Sequence, residues 1–314
     1  MKPPAPVVEM TGISIEFPGV KALDDVALRL YPGEVHALMG ENGAGKSTLI
    51  KALTGVYTVD AGTIVVDGQQ RDLRGTADAQ DAGIATVYQE VNLCTNLSIG
   101  ENVMLGHEAR GPFGVSWRRT HAQARAALAR LGLDDLDTHA PLSSLSIALQ
   151  QLVAISRAMV VDCKVLILDE PTSSLDAHEV ANLFTVMRRL RDSGVAILFV
   201  SHFLDQVYEI TDRLTVLRNG RLVSEHLTRD LPRGDLVSAM IGKDVATLTS
   251  LGSERAARVT DPDAVPVLEA RGIGRKGSIH PSDVEVHAGE VVGFAGLLGS
   301  GRTELARLLY GADR

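Results

Sequence analysis

Runs rich in apolar residues, Val35–Met39, Ile84–Tyr88, Val165–Leu168, Ala196–Val200 and Arg213–Leu217, alternate along the chain with segments of helical spacing at 120–132, 147–161 and 178–192. Continuous apolar runs suit strands buried on both faces, and the periodic segments between them suit covering helices. The pattern predicts an α/β fold with a largely parallel sheet. Residues from about 92 to 161 read as predominantly helical and interrupt that alternation, which predicts a helical subdomain.

The first strand runs into Gly40-Glu41-Asn42-Gly43-Ala44-Gly45-Lys46-Ser47-Thr48, and a helical run from Ser47 to Thr54 leaves it and stops at Gly55. This is the phosphate-loop pattern in its proper setting. Glycines let the backbone curl so that successive N–H groups face an anion, and the following helix turns its positive end to the same point. Lys46 supplies a charge for the β- and γ-phosphates, and the Ser47 hydroxyl is the expected magnesium ligand. The prediction is a nucleotide site with Mg2+.

Other polar residues stand at the ends of the remaining strands. Val165–Leu168 ends in Asp169-Glu170, a carboxylate pair that a rigid strand could hold beside a metal-bound phosphate. There Asp169 would serve magnesium and Glu170 the attacking water. Gln89 follows Ile84–Tyr88 and could touch both metal and water. His202 follows Ala196–Val200 and could bond the γ-phosphate and steady Glu170.

A repeat adds to this picture. Pro32-Gly33-Glu34-Val35 through Lys46 to Gly55 returns as Ala288-Gly289-Glu290-Val291 through Arg302 to Gly311, at a constant offset of 256 (32 to 288, 55 to 311). The expected organisation is a first domain over 1–243, a linker over 244–266 and the start of a second copy over 267–314. The second loop contributes Gly296, Gly299, Gly301, Arg302 and Thr303, with arginine where lysine is expected.

Composition excludes several classes. A net charge of −8 and a pI near 5.6 argue against a general nucleic-acid binder. The N-terminal Met1–Pro6 lacks the apolar core of a signal peptide, and the apolar runs are too short to span a membrane. Membrane contact is therefore expected through a partner. Two cysteines, Cys94 and Cys163, are too few and too isolated for a disulfide framework or metal site and read as buried or incidental thiols.

Gly40–Thr48, Gln89, Leu145–Gln151, Leu166–Thr172, Ser173–Asp176 and His202 stand in the order of the motifs of ABC-transporter ATPases, which the chain resembles from residue 7 to 314. The resemblance implies a P-loop NTPase of ABC type with a signature motif containing Ser146 and an adenine-stacking Phe17. Tandem spacing, with Phe17–Leu23 and Thr86–Glu90, is similar to the ATP-binding subunits of bacterial monosaccharide importers, in look the galactofuranose type. Such a subunit implies permease partners, through them a sugar-binding protein, and a peripheral place on the cytoplasmic face of the membrane. It also implies a second ATPase domain or a homodimer. Departures at Ala148 (usually glycine) and Arg302 would fall in one composite nucleotide site and bias it toward binding over hydrolysis. The rivals are a soluble tandem ATPase acting on ribosomes and a non-catalytic nucleotide-binding fragment.

Overall fold

The computed structural model describes residues 5–88, 93–112, 114–242, 265–296 and 300–313. Gln89, Gly299 and nearly all of the expected linker lie outside them. The chain divides into two compact units, Met1–Lys243 and Asp244–Arg314.

The first unit opens with β1 (Val8–Phe17), β2 (Val20–Leu30) and β3 (Val35–Met39), followed by α1 (Lys46–Leu53). Next come β4 (Ala61–Val66), β5 (Gln69–Arg71), α2 (Thr76–Asp81) and β6 (Ile84–Val87). The helical region holds α3 (Ile99–Met104), a small hairpin of β7 (Arg110–Gly111) and β8 (Gly114–Val115), α4 (Trp117–Arg130) and α5 (Ile147–Ala158). The unit closes with β9 (Val165–Asp169), α6 (Ala177–Asp192), β10 (Ala196–Val200), α7 (Leu204–Ile210), β11 (Arg213–Arg218), β12 (Arg221–Leu227) and α8 (Arg233–Ile241).

Six strands form the main sheet in the order β12-β11-β3-β10-β9-β6, parallel except for the edge strand β12. Its central strands are buried on both faces, which is why they read as runs rich in apolar residues. In β9, Val165 and Ile167 face the core shared with α1 and the other sheet, while Leu166 and Leu168 face the core under α5 and α6. In β10, Leu198 and Phe199 divide between the same two cores. Buried Leu and Phe side chains contribute about 1.5–3 kcal/mol each, so these two cores hold the strand ends rigidly.

The apolar pattern missed a second sheet, β2-β1-β4-β5, whose pairings are all antiparallel. Its strands carry charged residues on the open face, and register shifts interrupt β1 between Met10 and Ile13, so neither periodicity stays clean. The helical region has its own small core of Ile99, Val103, Ala124, Leu128 and Val153. Capping boxes at Ser98/Glu101 and Asp176/Glu179 start α3 and α6. Cys163 is buried, and that burial pushes its thiol up to about 12, while Cys94 is half-buried. Among the described residues no helix is long and apolar enough to cross a membrane.

The second unit holds the antiparallel hairpin of β13 (Leu268–Arg275) and β14 (Ile279–Val286), then α9 (Arg302–Tyr310). Residues 291–296 form no strand and Val291 is 95% exposed. In the first unit β3 is flanked by β10 and β11.

Candidate functional site

β3 delivers the chain to Gly40 at the carboxyl end of the main sheet, where α/β folds place their ligands. The loop's shape is available only to glycine at its key points. Gly40 has φ +150°, and a Cβ there would lie 2.4 Å from the Leu217 carbonyl oxygen. Gly45, at φ +102°, caps α1 without any side-chain hydrogen bond, and no acidic residue occupies the helix's first turn. The positive end of α1 is therefore left for an external anion.

Lys46 opens α1, and its Nζ donates to the carbonyl oxygens of Gly40 at 2.7 Å and Glu41 at 3.0 Å. Burial lowers its pKa, against the opposing pull of Glu170 and Asp169. Asp169 ends β9, and its carboxyl is pushed above the usual range by burial and by the neighbouring Glu170, with Lys46 pulling the other way. These groups share one cleft of about 580 Å³, lined by residues 42–48, Asp169 and Glu170 and closed on one side by Lys21 and Ala22. That volume suits a small organic ligand.

Glu170 occupies the left-handed region, with φ 49°. Its N–H donates to the Val200 carbonyl at 2.9 Å, and its Oε2 lies 2.9 Å from His202 Nδ1. The structure thus brings together Lys46, Ser47, Thr48, Asp169, Glu170 and, through Glu170, His202. Gln89 lies outside the described residues, so its placement is not part of this geometry.

Phe17 is set apart. Its ring is 36% exposed in an adjoining hollow that shares Lys21 with the cleft, and Tyr57 meets it edge-on at 5.2 Å. Ser146 lies elsewhere, as the N-cap of α5, where its Oγ accepts from the Leu149 N–H at 3.3 Å. In the second unit Arg302 and Thr303 are exposed at the start of α9 behind Gly301, at φ +87°. Gly296 is exposed, and Gly299 lies outside the described residues.

Sequence reasoning missed Asn219 and Gly220, which also line the cleft. Both have positive φ, 51° and 73°, in the turn between β11 and β12. Gly220 N–H donates to Ala44 O at 3.1 Å and Gly220 O accepts from Asp24 N–H at 2.8 Å, so this turn braces the loop from behind. Asn-Gly is a strong hairpin signal that could have found the turn, though not its neighbour.

Comparison with known proteins agrees with this geometry. Residues 23–173 match the family described as ABC transporter. The chain is 68% identical over 309 residues to the fructose import ATP-binding protein FruK of Bifidobacterium longum, covering 98% of this chain and 60% of that protein. It is 52% identical over 307 residues to the galactofuranose transporter ATP-binding protein YtfR of Escherichia coli, covering 97% and 60%. The chain thus spans about 60% of the length of these curated relatives. Among solved structures, an ATP-binding cassette of an ABC transporter in its ADP conformation superposes with a TM-score of 0.67 at 25% identity, over 76% of this chain and 99% of that one. Sheet order, loop geometry and these likenesses together establish that the first unit has the P-loop NTPase fold of the ABC-transporter ATPases.

Proposed function

We propose that this chain binds magnesium-ATP in the Gly40–Thr48 cleft, hydrolyses it, and energises monosaccharide import as part of an ABC transporter. The observation that carries the reading is the convergence of Lys46, Asp169 and Glu170 on one cleft, with His202 bonded to Glu170. The relatives are named for the import of fructose and the transport of galactofuranose, both monosaccharides. The galactofuranose type that the motifs suggested and the fructose type of the relative with higher identity both fall within this reading.

The residues fit a magnesium ion. Ser47 and Asp169 offer hard oxygen donors, and no group of three or more His, Cys, Asp or Glu among the described residues forms an all-protein cage. A site completed by phosphate oxygens and water is the usual arrangement for this ion. Burial and the neighbouring Glu170 raise the Asp169 carboxyl, and a bound cation would offset both. Magnesium held there by Ser47 and Asp169 would neutralise phosphate charge.

The chain's own residues do the rest. Lys46 exchanges the carbonyls of Gly40 and Glu41 for phosphate oxygens, and the N–H groups of Gly43–Lys46 hold charge that develops in the transition state. Glu170 orients the attacking water and takes its proton, and His202, with Nδ1 protonated, donates to Glu170 and fixes its direction. Gln89 is assigned to metal and water by its place after β6, and Phe17 to the adenine face.

Residues 267–314 we read as the start of a second cassette. Gly33, Gly45 and Gly55 have φ of 67°, 102° and 70°, and their counterparts 256 residues on, Gly289, Gly301 and Gly311, have 77°, 87° and 77°. In that copy Gly296, Gly299, Gly301, Arg302 and Thr303 would form the phosphate loop, and the hairpin turn Arg275–Ile279 holds no aromatic to match Phe17. Permease subunits, and a sugar-binding protein beyond them, are the proposed partners, on the cytoplasmic face of the membrane.

The test is reconstitution of the full-length protein with its permease in liposomes. Sugar-dependent uptake that needs ATP supports the reading. Co-sedimentation with ribosomes and no effect on uptake would replace it.

A further inference from the structure

β9 and β10 lie side by side with Asp169 opposite Val200, and beyond that point the two chains leave the sheet as separate loops. One loop carries Glu170, the other His202. Their mutual contact is open to water, with the His202 side chain 58% exposed, so the pair cannot by itself hold the two loops in register. Glu170 also stands in a backbone conformation that non-glycine residues adopt only when their surroundings impose it.

What holds the loops lies behind them. Thr172 and Ser201 are both buried, at 3% and 4% exposure, one on each loop. From α7 the half-buried Gln206 reaches back between them. Its Oε1 accepts the Thr172 hydroxyl at 2.5 Å and the Ser201 hydroxyl at 3.4 Å. Ser201 Oγ in turn accepts from the Phe203 N–H at 3.1 Å, which fixes the backbone on the far side of His202. A ring closes from Glu170 through Thr172, Gln206, Ser201 and His202 back to Glu170.

We propose that Gln206 is a positioning residue for hydrolysis: its amide oxygen clasps Thr172 and Ser201 and so sets the distance between Glu170 and His202. The proposal rests on the hydrolytic reading given above. Gln206 is absent from the residues lining the nucleotide cleft, and among the described residues its side chain bonds these two hydroxyls. Removing its oxygen strands buried hydroxyls and frees the loops to drift, which affects the geometry of water attack and leaves the Lys46 side of the cleft intact.

The experiment is ATP turnover by the full-length protein in its transporter. Gln206→Met keeps the side-chain length and removes the acceptor. Its kcat should fall about tenfold with KM for ATP nearly unchanged. Gln206→Glu, whose carboxylate accepts both hydroxyls, should recover most of the loss. Thr172→Val should resemble Gln206→Met, and the double variant should be no worse than either single one, because both break the same ring. Wild-type kcat in Gln206→Met, or a Gln206→Glu as poor as Gln206→Met, would overturn the clasp. So would a rise in KM matching the fall in kcat. If Gln206→Met fails to fold, Thr172→Val against Thr172→Ser carries the same comparison, since serine keeps the hydroxyl, and equal rates in the two would overturn the clasp. Absence of turnover in the wild-type transporter would instead refute the hydrolytic reading, so the two failures are distinct.

Discussion

Gly40 and Gly43 belong to the same loop and the same sequence motif, yet alanine should affect them differently. At Gly40 the backbone has φ +150°, and a new Cβ would sit 2.4 Å from the Leu217 carbonyl oxygen and 2.9 Å from Ala44 Cβ. The conformation alone costs about 1–3 kcal/mol for a residue with a side chain. Overlap with a backbone atom of the neighbouring strand β11, which cannot rotate away, adds about 1–3 kcal/mol more. At about 2–4 °C per kcal/mol for a unit of this size, Gly40→Ala should lower Tm by roughly 10 °C. Gly43 has φ +82° with nothing within 4 Å of its Cβ position, so only the left-handed backbone penalises alanine. That penalty of about 1–2 kcal/mol corresponds to roughly 4 °C. The loss at Gly43 should appear in ATP affinity instead, as the loop that presents its N–H groups relaxes. Thermal melts and titration of a fluorescent ATP analogue on both variants separate the two effects. A Gly40→Ala protein that melts no lower than Gly43→Ala would refute this account of why the loop needs its glycines.

Arg213 bonds Glu34 at 2.9 Å and Glu225 at 3.1 Å and lies over the Tyr31 ring, tying β11 to the start of β3. Burial raises the Glu34 carboxyl, but the nearby His36 ring, 3.7 Å away, and Arg213 outweigh it and leave its pKa below the ordinary value. A depressed carboxylate contributes stability above its ordinary pKa and loses it as pH falls through the depressed one. Arg213→Met should therefore cost about 2 kcal/mol at neutral pH, and the gap should narrow below about pH 4; urea melts that show a pH-independent gap would contradict this. Phe17→Ala should raise KM for ATP about threefold to tenfold by removing an aromatic face, with kcat unchanged. An unaltered KM would place adenine elsewhere than the hollow beside Tyr57.

How much of this was legible depended on whether the physical cause was local. β3, β9 and β10 are buried on both faces, so each is a run dominated by apolar residues, broken in β3 only by the buried His36. β1 and β2 are buried on one face and broken by register shifts, and their charged residues dilute the pattern. The phosphate loop was legible because its backbone demands glycine and its helix needs a free end. The same holds for Asp169 and Glu170, which the strand's apolar run points to directly. α4 begins at Trp117, ahead of the apolar spacing that starts near residue 120, because its first turn is exposed. Gly220 and Gln206 act across long sequence separations, through Ala44 and through Thr172, and no local pattern distinguishes them from an ordinary turn and an ordinary helix residue.

The central claim is that Glu170 drives water onto a phosphate chain held by the Gly40–Thr48 loop. Glu170→Gln keeps the shape and a hydrogen-bond acceptor for His202 and removes the base. Single-turnover and steady-state ATP hydrolysis in the full-length protein test it directly. The account predicts ATP affinity close to wild type, turnover reduced by about 100-fold or more, and ATP retained unhydrolysed on the protein. A Glu170→Gln protein that hydrolyses ATP at near wild-type rate would contradict it.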